Sequence, residues 1–337
     1  MPITTNFHTH TKYCDGKSSP DEIVLQAIDL GMMRLGFSGH AYTPHDLSYA
    51  MSPETAAAYA GEIRGLQEKY GNRLEILCGL ELDYFSEQDM AGFDYSIGSV
   101  HYVFRRAASD GTAAGTAIAG APASSASDAS AADMAAPAVA DAPASSASDV
   151  SAADTAAPAV ADAPESVIFA DGGWYVPVDE SPEVLSWAIQ NLYGGDPYGL
   201  VEDFFRQEAD VIRKTQCQII GHFDIITKFQ EKAPLFDESH PRYVAAWQKA
   251  LAALLPAGVP FEINTGAISR GYRTCPYPSL EILKAIHDGG GSIAFSSDSH
   301  EKSTLQFWFP EAADMARRAG FTTHVVLGKK GYEEVEI

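Results

Sequence analysis

Residues 3–11 read Ile3-Thr4-Thr5-Asn6-Phe7-His8-Thr9-His10-Thr11, and this stretch decides the fold assignment. Its composition predicts a first β-strand that ends in a His-x-His pair. Because side chains at positions i and i+2 of a strand point the same way, His8 and His10 should converge on one site. In a parallel barrel, the carboxyl end of such a strand opens onto the face where active sites are built.

Strand and helix signals alternate along the rest of the chain. Helix starts are predicted at Ser19-Pro20, Ser52-Pro53 and Ser181-Pro182, because Ser is a good N-cap and Pro fits the first helical turn. Seven strands are predicted, at Ile3–Thr11, Arg34–His40, Leu74–Leu82, Phe93–Val103, Ile219–Phe223, Val259–Asn264 and Ser292–Ser296. The further predicted helices are Gly199–Gln216, Pro241–Leu255, Ser279–His287 and Pro310–Ala319. Repeated strand–helix units favour a parallel sheet, either a closed barrel or a doubly wound sheet.

Histidines and carboxylates recur at the ends of the predicted strands. The candidate metal ligands are His8, His10, Asp15, His40, Glu81, His101, His222, Asp298 and His300. Imidazole and carboxylate ligands without a thiolate suit Zn, Mn or Fe, and differ from the ligands of a structural cysteine-bound zinc. Nine side chains are too many for one ion, so the sequence predicts a site for two or three divalent ions.

A segment of biased composition interrupts this pattern. Residues 107–165 are almost entirely Ala, Ser, Asp, Pro, Val and Thr, with no aromatic, Lys or Arg. Within them Ala121–Asp141 and Ala142–Asp162 match at 19 of 21 positions. Such a segment has too little bulky apolar surface to offset the entropy of ordering, which predicts a disordered insertion. The 278 residues that remain of 337 suit one barrel domain.

Charge and composition exclude several classes of partner. The formal net charge is −22, which disfavours nucleic acid and anionic membranes and favours cations. No run of 18 apolar residues is present, so no membrane span is expected. The four cysteines form no Cys-x-x-Cys pair, and the first residues, Met-Pro-Ile-Thr-Thr-Asn, lack the pattern of a secretory signal. These features predict a cytoplasmic protein with reduced thiols.

The chain resembles the polymerase-and-histidinol-phosphatase (PHP) superfamily, in particular its histidinol-phosphatase branch. The motifs that carry this resemblance are Phe7-His8-Thr9-His10, Asp15-Gly16, Ser38-Gly39-His40, Gly79-Leu80-Glu81, Gly98–His101, Gly221-His222-Phe223-Asp224, Glu262-Ile263-Asn264-Thr265, Tyr277-Pro278-Ser279 and Ser297–His300. The resemblance covers the chain except 107–165. It implies a distorted (β/α)7 barrel formed by one domain of residues 1–337, with 107–165 as an insertion.

The resemblance also implies three metal ions and a hydrolytic activity. One ion would be held by His8, His10, Glu81 and Asp298, a second by Glu81, His101 and His222, and a third by Asp15, His40 and His300. A metal-bridging hydroxide held by Glu81, His101 and His222 would attack a small phosphate ester, which in the family is L-histidinol phosphate. Lys228 and Arg270 match basic positions of the family and are expected to contact the phosphate. Glu262 and Asn264 are candidates for contacts to the amine or imidazole of the substrate.

Three alternatives remain open from the sequence. Another PHP-family phosphoesterase could act on nucleotides or other small esters, although the acidic chain disfavours a polymer substrate. An amidohydrolase-like barrel also begins with His-x-His, but Glu81 and Asp298-Ser299-His300 favour the phosphatase. A non-catalytic regulator that binds a metal or ligand is the third, and loss of a ligand position would be its mark.

Overall fold

A computed structural model describes residues 2–107, 162–328 and 331–337. Its strands are β1 (Thr5–Asn6), β2 (Arg34–His40), β3 (Glu75–Asp83), β4 (Tyr95–Ser99), β5 (Tyr102–Arg106), β6 (Ile168–Ala170), β7 (Gly173–Pro177), β8 (Ile219–Ile220), β9 (Phe261–Asn264), β10 (Ile293–Ser296), β11 (Thr323–Gly328) and β12 (Gly331–Glu336). Its helices are α1 (Pro20–Asp29), α2 (Pro53–Tyr70), α3 (Pro182–Leu192), α4 (Pro197–Glu208), α5 (Val211–Thr215), α6 (Pro241–Leu254), α7 (Gly266–Ser269), α8 (Leu280–Asp288) and α9 (Phe309–Ala319). Within these ranges, no helix has the length and apolar character needed to cross a bilayer.

The central sheet is a parallel barrel. Its strand order is β1-β2-β3-β4-β8-β9-β10, and each adjacent pair is parallel. The two ends of the sheet meet beyond β1 and β10, where the His10 amide donates to the Ser299 carbonyl at 2.8 Å and the Ser299 amide donates to the His8 carbonyl at 3.2 Å. These contacts draw the carboxyl ends of the first and last strands together. The expected distorted (β/α)7 barrel is confirmed.

The helices begin where the Ser-Pro signals predicted. In α1, Ser19 Oγ accepts the Glu22 amide while a carboxylate oxygen of Glu22 accepts the Ser19 amide at 3.0 Å, which completes a capping box. Ser52 and Ser181 likewise accept amides of the first turns of α2 and α3. The predicted helix Gly199–Gln216 is wrong as one element, because the chain turns between α4 and α5 at residues 209–210.

Two antiparallel sheets of the structure are absent from the sequence-based prediction. The predicted strand Phe93–Val103 is two strands, because after β4 the chain leaves the barrel and β5 pairs with β7, which also pairs with β6. At the opposite end, β11 and β12 form a hairpin, and Val326 and Leu327 pack on Phe7, Tyr95 and Ile97 inside the barrel. The hairpin thus closes the end of the barrel opposite the candidate ligands.

The first residue of the Ala/Ser/Asp/Pro segment is hydrogen-bonded to the antiparallel sheet. Ala107 follows β5, and its amide donates to the Gly172 carbonyl at 2.9 Å. The prediction that 107–165 is disordered concerns mainly residues 108–161, which lie outside the described part of the chain.

Candidate metal centre

The nine candidate ligands lie at one end of the barrel. His8 and His10 follow β1, His40 ends β2, Glu81 lies near the end of β3 and His101 lies between β4 and β5. His222 follows β8, and Asp298 and His300 follow β10. Asp15 approaches from the loop after His10. Gly16 permits this approach, because a Cβ there would lie 2.5 Å from the Thr11 amide nitrogen and 2.6 Å from the His10 carbonyl carbon.

Glu81 lies at the centre of the imidazoles and is 1 % exposed. From Oε2, His8 Nε2 lies at 3.1 Å, His10 Nε2 at 3.5 Å and His40 Nδ1 at 3.1 Å, and from Oε1, His222 Nε2 lies at 3.0 Å and His101 Nε2 at 3.3 Å. Ser99 Oγ also donates to Oε1 at 2.7 Å. Burial raises the pKa of Glu81, but His8, His40 and His101 outweigh it and hold that pKa well below its usual range. The carboxylate is therefore ionised and shared by the histidines around it.

Asp15 is the centre of a second, more exposed group. Its Oδ2 lies 3.0 Å from His300 Nε2, while its Oδ1 lies 3.6 Å from His10 Nδ1 and 3.7 Å from His40 Nε2. The rings of His10 and His300 stack with their centroids 4.2 Å apart. Burial lowers the pKa of His10 to about 3, and the neighbouring imidazoles of His300 and His40 add to the effect. His10 is thus neutral, the form in which a histidine binds metal.

Three groups in the described chain bring ligand atoms within 4.8 Å of one another. They are His10, Asp15, His40 and His300; His8, His10 and Glu81; and His40, Glu81 and His101. Asp298 is next to the second group, with Oδ1 3.2 Å from His10 Nε2 and 3.6 Å from His8 Nε2. His222 joins the same region through its contact with Glu81. The structure brings all nine predicted residues together, although these groups do not coincide with the three ligand sets inferred from the sequence.

Unpartnered buried atoms test whether a cation fits here. His8 Nε2, His10 Nε2 and Glu81 Oε2 are buried and have no hydrogen-bond partner within the described ranges. Leaving such atoms without a partner is costly, so native structures normally satisfy them with a hydrogen bond, a water or an ion. Here imidazole lone pairs and an ionised carboxylate face one another, and a divalent cation satisfies them together. The residues therefore fit divalent metal binding, and their donor types match those of zinc sites.

Glu262 lies behind this ligand layer. Its Oε1 is 2.6 Å from His8 Nδ1, and its Oε2 accepts the His222 amide at 2.8 Å and Asn264 Nδ2 at 2.9 Å. Ser296 Oγ also donates to Oε1. Glu262 is 1 % exposed and Asn264 is fully buried, with its Oδ1 accepting the Gly266 amide at 2.8 Å. Neither side chain is available to a substrate, so the expectation that they contact its amine or imidazole is wrong.

Asp83 supports His101 in a similar way and was missed from the sequence. Its Oδ2 accepts the His101 amide at 2.9 Å and lies 3.4 Å from His101 Nδ1. Asp83 is two residues after Glu81 on the same strand. The i, i+2 rule applied to His8 and His10 therefore predicts the same side of β3 for both carboxylates.

Arg270 is bound to the ligand layer itself. It donates from Nη2 to Asp298 Oδ2 at 2.8 Å and from Nη1 to the Asp298 carbonyl at 2.9 Å, and Nη1 lies 2.9 Å from His300 Nδ1. Asp298 has a φ of 48°, which turns the chain sharply after β10. Gly266 makes room for this pair, because a Cβ there would lie 2.8 Å from Asp298 Oδ2 and 2.9 Å from Arg270 Nη2.

A cavity of 180 Å³ opens directly onto the ligand layer. Besides candidate ligands, it is lined by Asp179, Ile225, Lys228, Arg270 and Tyr272. The structure thus places both Lys228 and Arg270, the predicted phosphate contacts, at this cavity. Asp179 was missed, because it follows β7 in a sheet that the sequence-based prediction did not contain.

Known proteins with related sequences or folds support one family. The PHP domain model matches residues 6–119. A probable histidinol-phosphatase of Schizosaccharomyces pombe is 22% identical over 98% of this chain and 90% of its own length. One from Deinococcus radiodurans is 22% identical over 94% of each chain. The crystal structure of histidinol phosphate phosphatase from Lactococcus lactis, complexed with Zn, L-histidinol and phosphate, has the same fold, with a TM-score of 0.56, 16% identity and 98% of each chain covered. Residues 6–119 thus match the PHP domain, and nearly the whole chain is similar in sequence to probable histidinol-phosphatases.

Proposed function

We propose that this protein is a metal-dependent phosphomonoesterase that hydrolyses L-histidinol phosphate to L-histidinol and phosphate. The observation that carries the proposal is the cavity that joins the cluster of histidines and carboxylates to two cationic side chains, Lys228 and Arg270. The names of the full-length relatives and the L-histidinol and phosphate of the Lactococcus lactis structure support this substrate. The reaction belongs to histidine biosynthesis, and we expect it to take place in the cytoplasm.

We further propose that the site holds three divalent ions of Zn, Mn or Fe. The ligand sets are His8, His10, Glu81 and Asp298; Glu81, His101 and His222; and Asp15, His40 and His300. When bound, such ions supply an activated water and stabilise negative charge on phosphoryl oxygens. Glu81 would bridge two of them, which agrees with the separate histidines facing each of its oxygens.

The remaining residues bind and orient the ester. Lys228 Nζ would donate to a phosphate oxygen, since an ammonium attracts a dianion strongly inside a partly closed cavity. Arg270 would face the same group while it holds Asp298 and His300 in place. Glu262 would orient the ring of His8 through Nδ1, and Asp83 would orient His101 through its main-chain amide and its nearby Nδ1, so that the metal-facing nitrogens stay aligned.

The test is phosphate release by protein loaded with Zn, Mn or Fe in separate preparations. The substrates are L-histidinol phosphate, nucleotides, sugar phosphates and p-nitrophenyl phosphate. We expect the highest kcat/KM on L-histidinol phosphate, with Glu81→Ala as the inactive control. Equal activity across the panel would reject the substrate and keep the chemistry. No activity on any ester, with metal shown to be bound, would reject the phosphatase function.

A further inference from the structure

Asp179 is a carboxylate in the cavity that has no place among the candidate metal ligands. The other carboxylates lining the cavity, Asp15, Glu81 and Asp298, each contact histidines of the ligand layer. Asp179 follows β7, and its side chain is 28 % exposed. A carboxylate at this position repels a phosphate dianion, so its presence in a phosphatase cavity calls for a different partner.

The contact between Asp179 and Lys228 engages one oxygen of the carboxylate, Oδ2, and leaves Oδ1 for a ligand. Lys228 Nζ donates to the main-chain carbonyl of Asp179 at 2.6 Å and to its Oδ2 at the longer distance of 3.3 Å. Lys228 is therefore held by both the carbonyl and Oδ2 of Asp179, with the carbonyl at the shorter distance. In residues 2–107, 162–328 and 331–337, no other side chain or amide donates to the Asp179 carboxylate. Its Oδ1 is thus available to a donor in the cavity.

The pair presents a positive and a negative charge side by side at the cavity wall. An ester that carries a phosphate and, two carbons from the ester oxygen, a primary ammonium has the complementary arrangement. Lys228 suits the phosphate and Asp179 suits the ammonium. A charge-assisted hydrogen bond of this kind is worth about 1.5–3 kcal/mol in general, enough to discriminate between substrates.

We propose that Asp179 determines specificity by binding the ammonium group of a phosphorylated amino alcohol. This inference rests on the proposed function for the identity of the substrate, since L-histidinol phosphate is an ester of this class. It adds that Asp179 is the residue that binds the amine and that the amine is the substrate group that is recognised. Lys228 remains bound to the Asp179 carbonyl and keeps its remaining donors for the phosphate.

The experiment measures kcat and KM of metal-loaded Asp179→Asn on matched esters. One pair is L-histidinol phosphate and imidazolylpropyl phosphate, which lacks only the amine, and the other pair is phosphoethanolamine and ethyl phosphate. We expect the variant to lose about tenfold or more in kcat/KM on the amine-bearing esters, mainly through KM. On the amine-free esters it should stay close to the wild type. Asn can still accept from Lys228, so the variant removes charge with little change in shape.

Two further variants distinguish binding of the amine from an effect on all phosphate esters. Glu180→Gln removes the neighbouring exposed carboxylate and should leave both pairs unchanged. Lys228→Met should lower kcat/KM on all four esters. Equal losses by Asp179→Asn with and without the amine would overturn the inference, and so would a wild type with no preference for the amine in either pair. A wild type that prefers phosphoethanolamine over ethyl phosphate, but does not favour L-histidinol phosphate, would reject the proposed substrate and still support the role of Asp179 if the variant abolished that preference.

Discussion

Glu262 Oε1 lies 2.6 Å from His8 Nδ1, although the two residues are 254 positions apart in the sequence. Burial raises the pKa of Glu262, yet His8 outweighs it and holds that pKa below its usual value. The carboxylate thus stays charged behind the ring and directs the opposite nitrogen, Nε2, toward Glu81. This arrangement is the carboxylate–histidine pair that orients a metal ligand and raises its basicity.

Glu262→Gln should therefore weaken metal binding. The amide keeps the size of the side chain and loses its charge, and substitutions behind metal ligands typically cost about 10–100-fold in affinity or activity. Activity measured against increasing metal concentration should recover in part at high metal, and metal content after dialysis should fall. Glu281→Gln, which removes an exposed carboxylate on α8, serves as the control. Unchanged metal retention in Glu262→Gln would contradict the orienting role.

Glu81→Ala should abolish phosphatase activity. The substitution removes the carboxylate that five imidazoles share and leaves those rings without a central anion. We expect turnover at background level and a lower number of bound ions per chain, measured by elemental analysis. Turnover near that of the wild type in fully metal-loaded protein would refute the bridging role of Glu81.

Arg270→Met and Lys228→Met should separate two kinds of cation at the cavity. Arg270 contacts Asp298 and His300, so its loss should reduce metal content as well as kcat by about tenfold or more. In the described part of the chain, Lys228 contacts Asp179 and the Tyr272 ring rather than a candidate ligand, so its loss should raise KM and leave metal content unchanged. The comparison requires kinetics and metal analysis on the same preparations. Equal metal retention in both variants would show that Arg270 does not support the ligand layer.

His324→Phe should make the protein less sensitive to acid. Burial lowers the pKa of His324 from 6.5 to about 4, so between these values the unfolded chain binds a proton that the folded chain does not. The free energy of unfolding therefore has its full value above pH 6.5. It falls as the pH drops toward 4, by up to about 3 kcal/mol, because the folded chain keeps the ring neutral. Urea unfolding at several pH values should show a smaller decline in the variant. His287→Gln is the control at an exposed histidine, and parallel declines in His324→Phe and wild type would contradict this origin.

Deleting residues 108–161 should leave the barrel intact. Ala107 is anchored by its hydrogen bond to Gly172, and the deletion removes none of the residues that pair β5 with β7. A short Gly-Ser linker between Ala107 and Asp162 should preserve the melting temperature and the activity on L-histidinol phosphate. A large fall in the melting temperature would show that the segment contributes to the fold.

The sequence by itself determined the candidate ligands and the class of fold. Ser-Pro signals mark helix starts, and a histidine or carboxylate at the end of a strand is a local feature that can be found without contacts. Since parallel strands all present their carboxyl ends at one face, His8, His40 and His222 could be grouped before any distance was known. The exit of the chain from the barrel after Ser99 was not predicted, because residues 95–106 have strand character throughout and only the pairing partners differ.

Only the tertiary structure decided what each polar group contacts. Glu262, a candidate for substrate contact from the sequence, contacts His8 instead. Arg270 is hydrogen-bonded to Asp298, and Asp179 lies at the cavity beside Lys228. These pairs join residues that lie far apart in the sequence or on different loops, and no local pattern encodes their separation. Closure of the barrel between residues 8–10 and Ser299 brings the first and last strands together and so sets the geometry of the site.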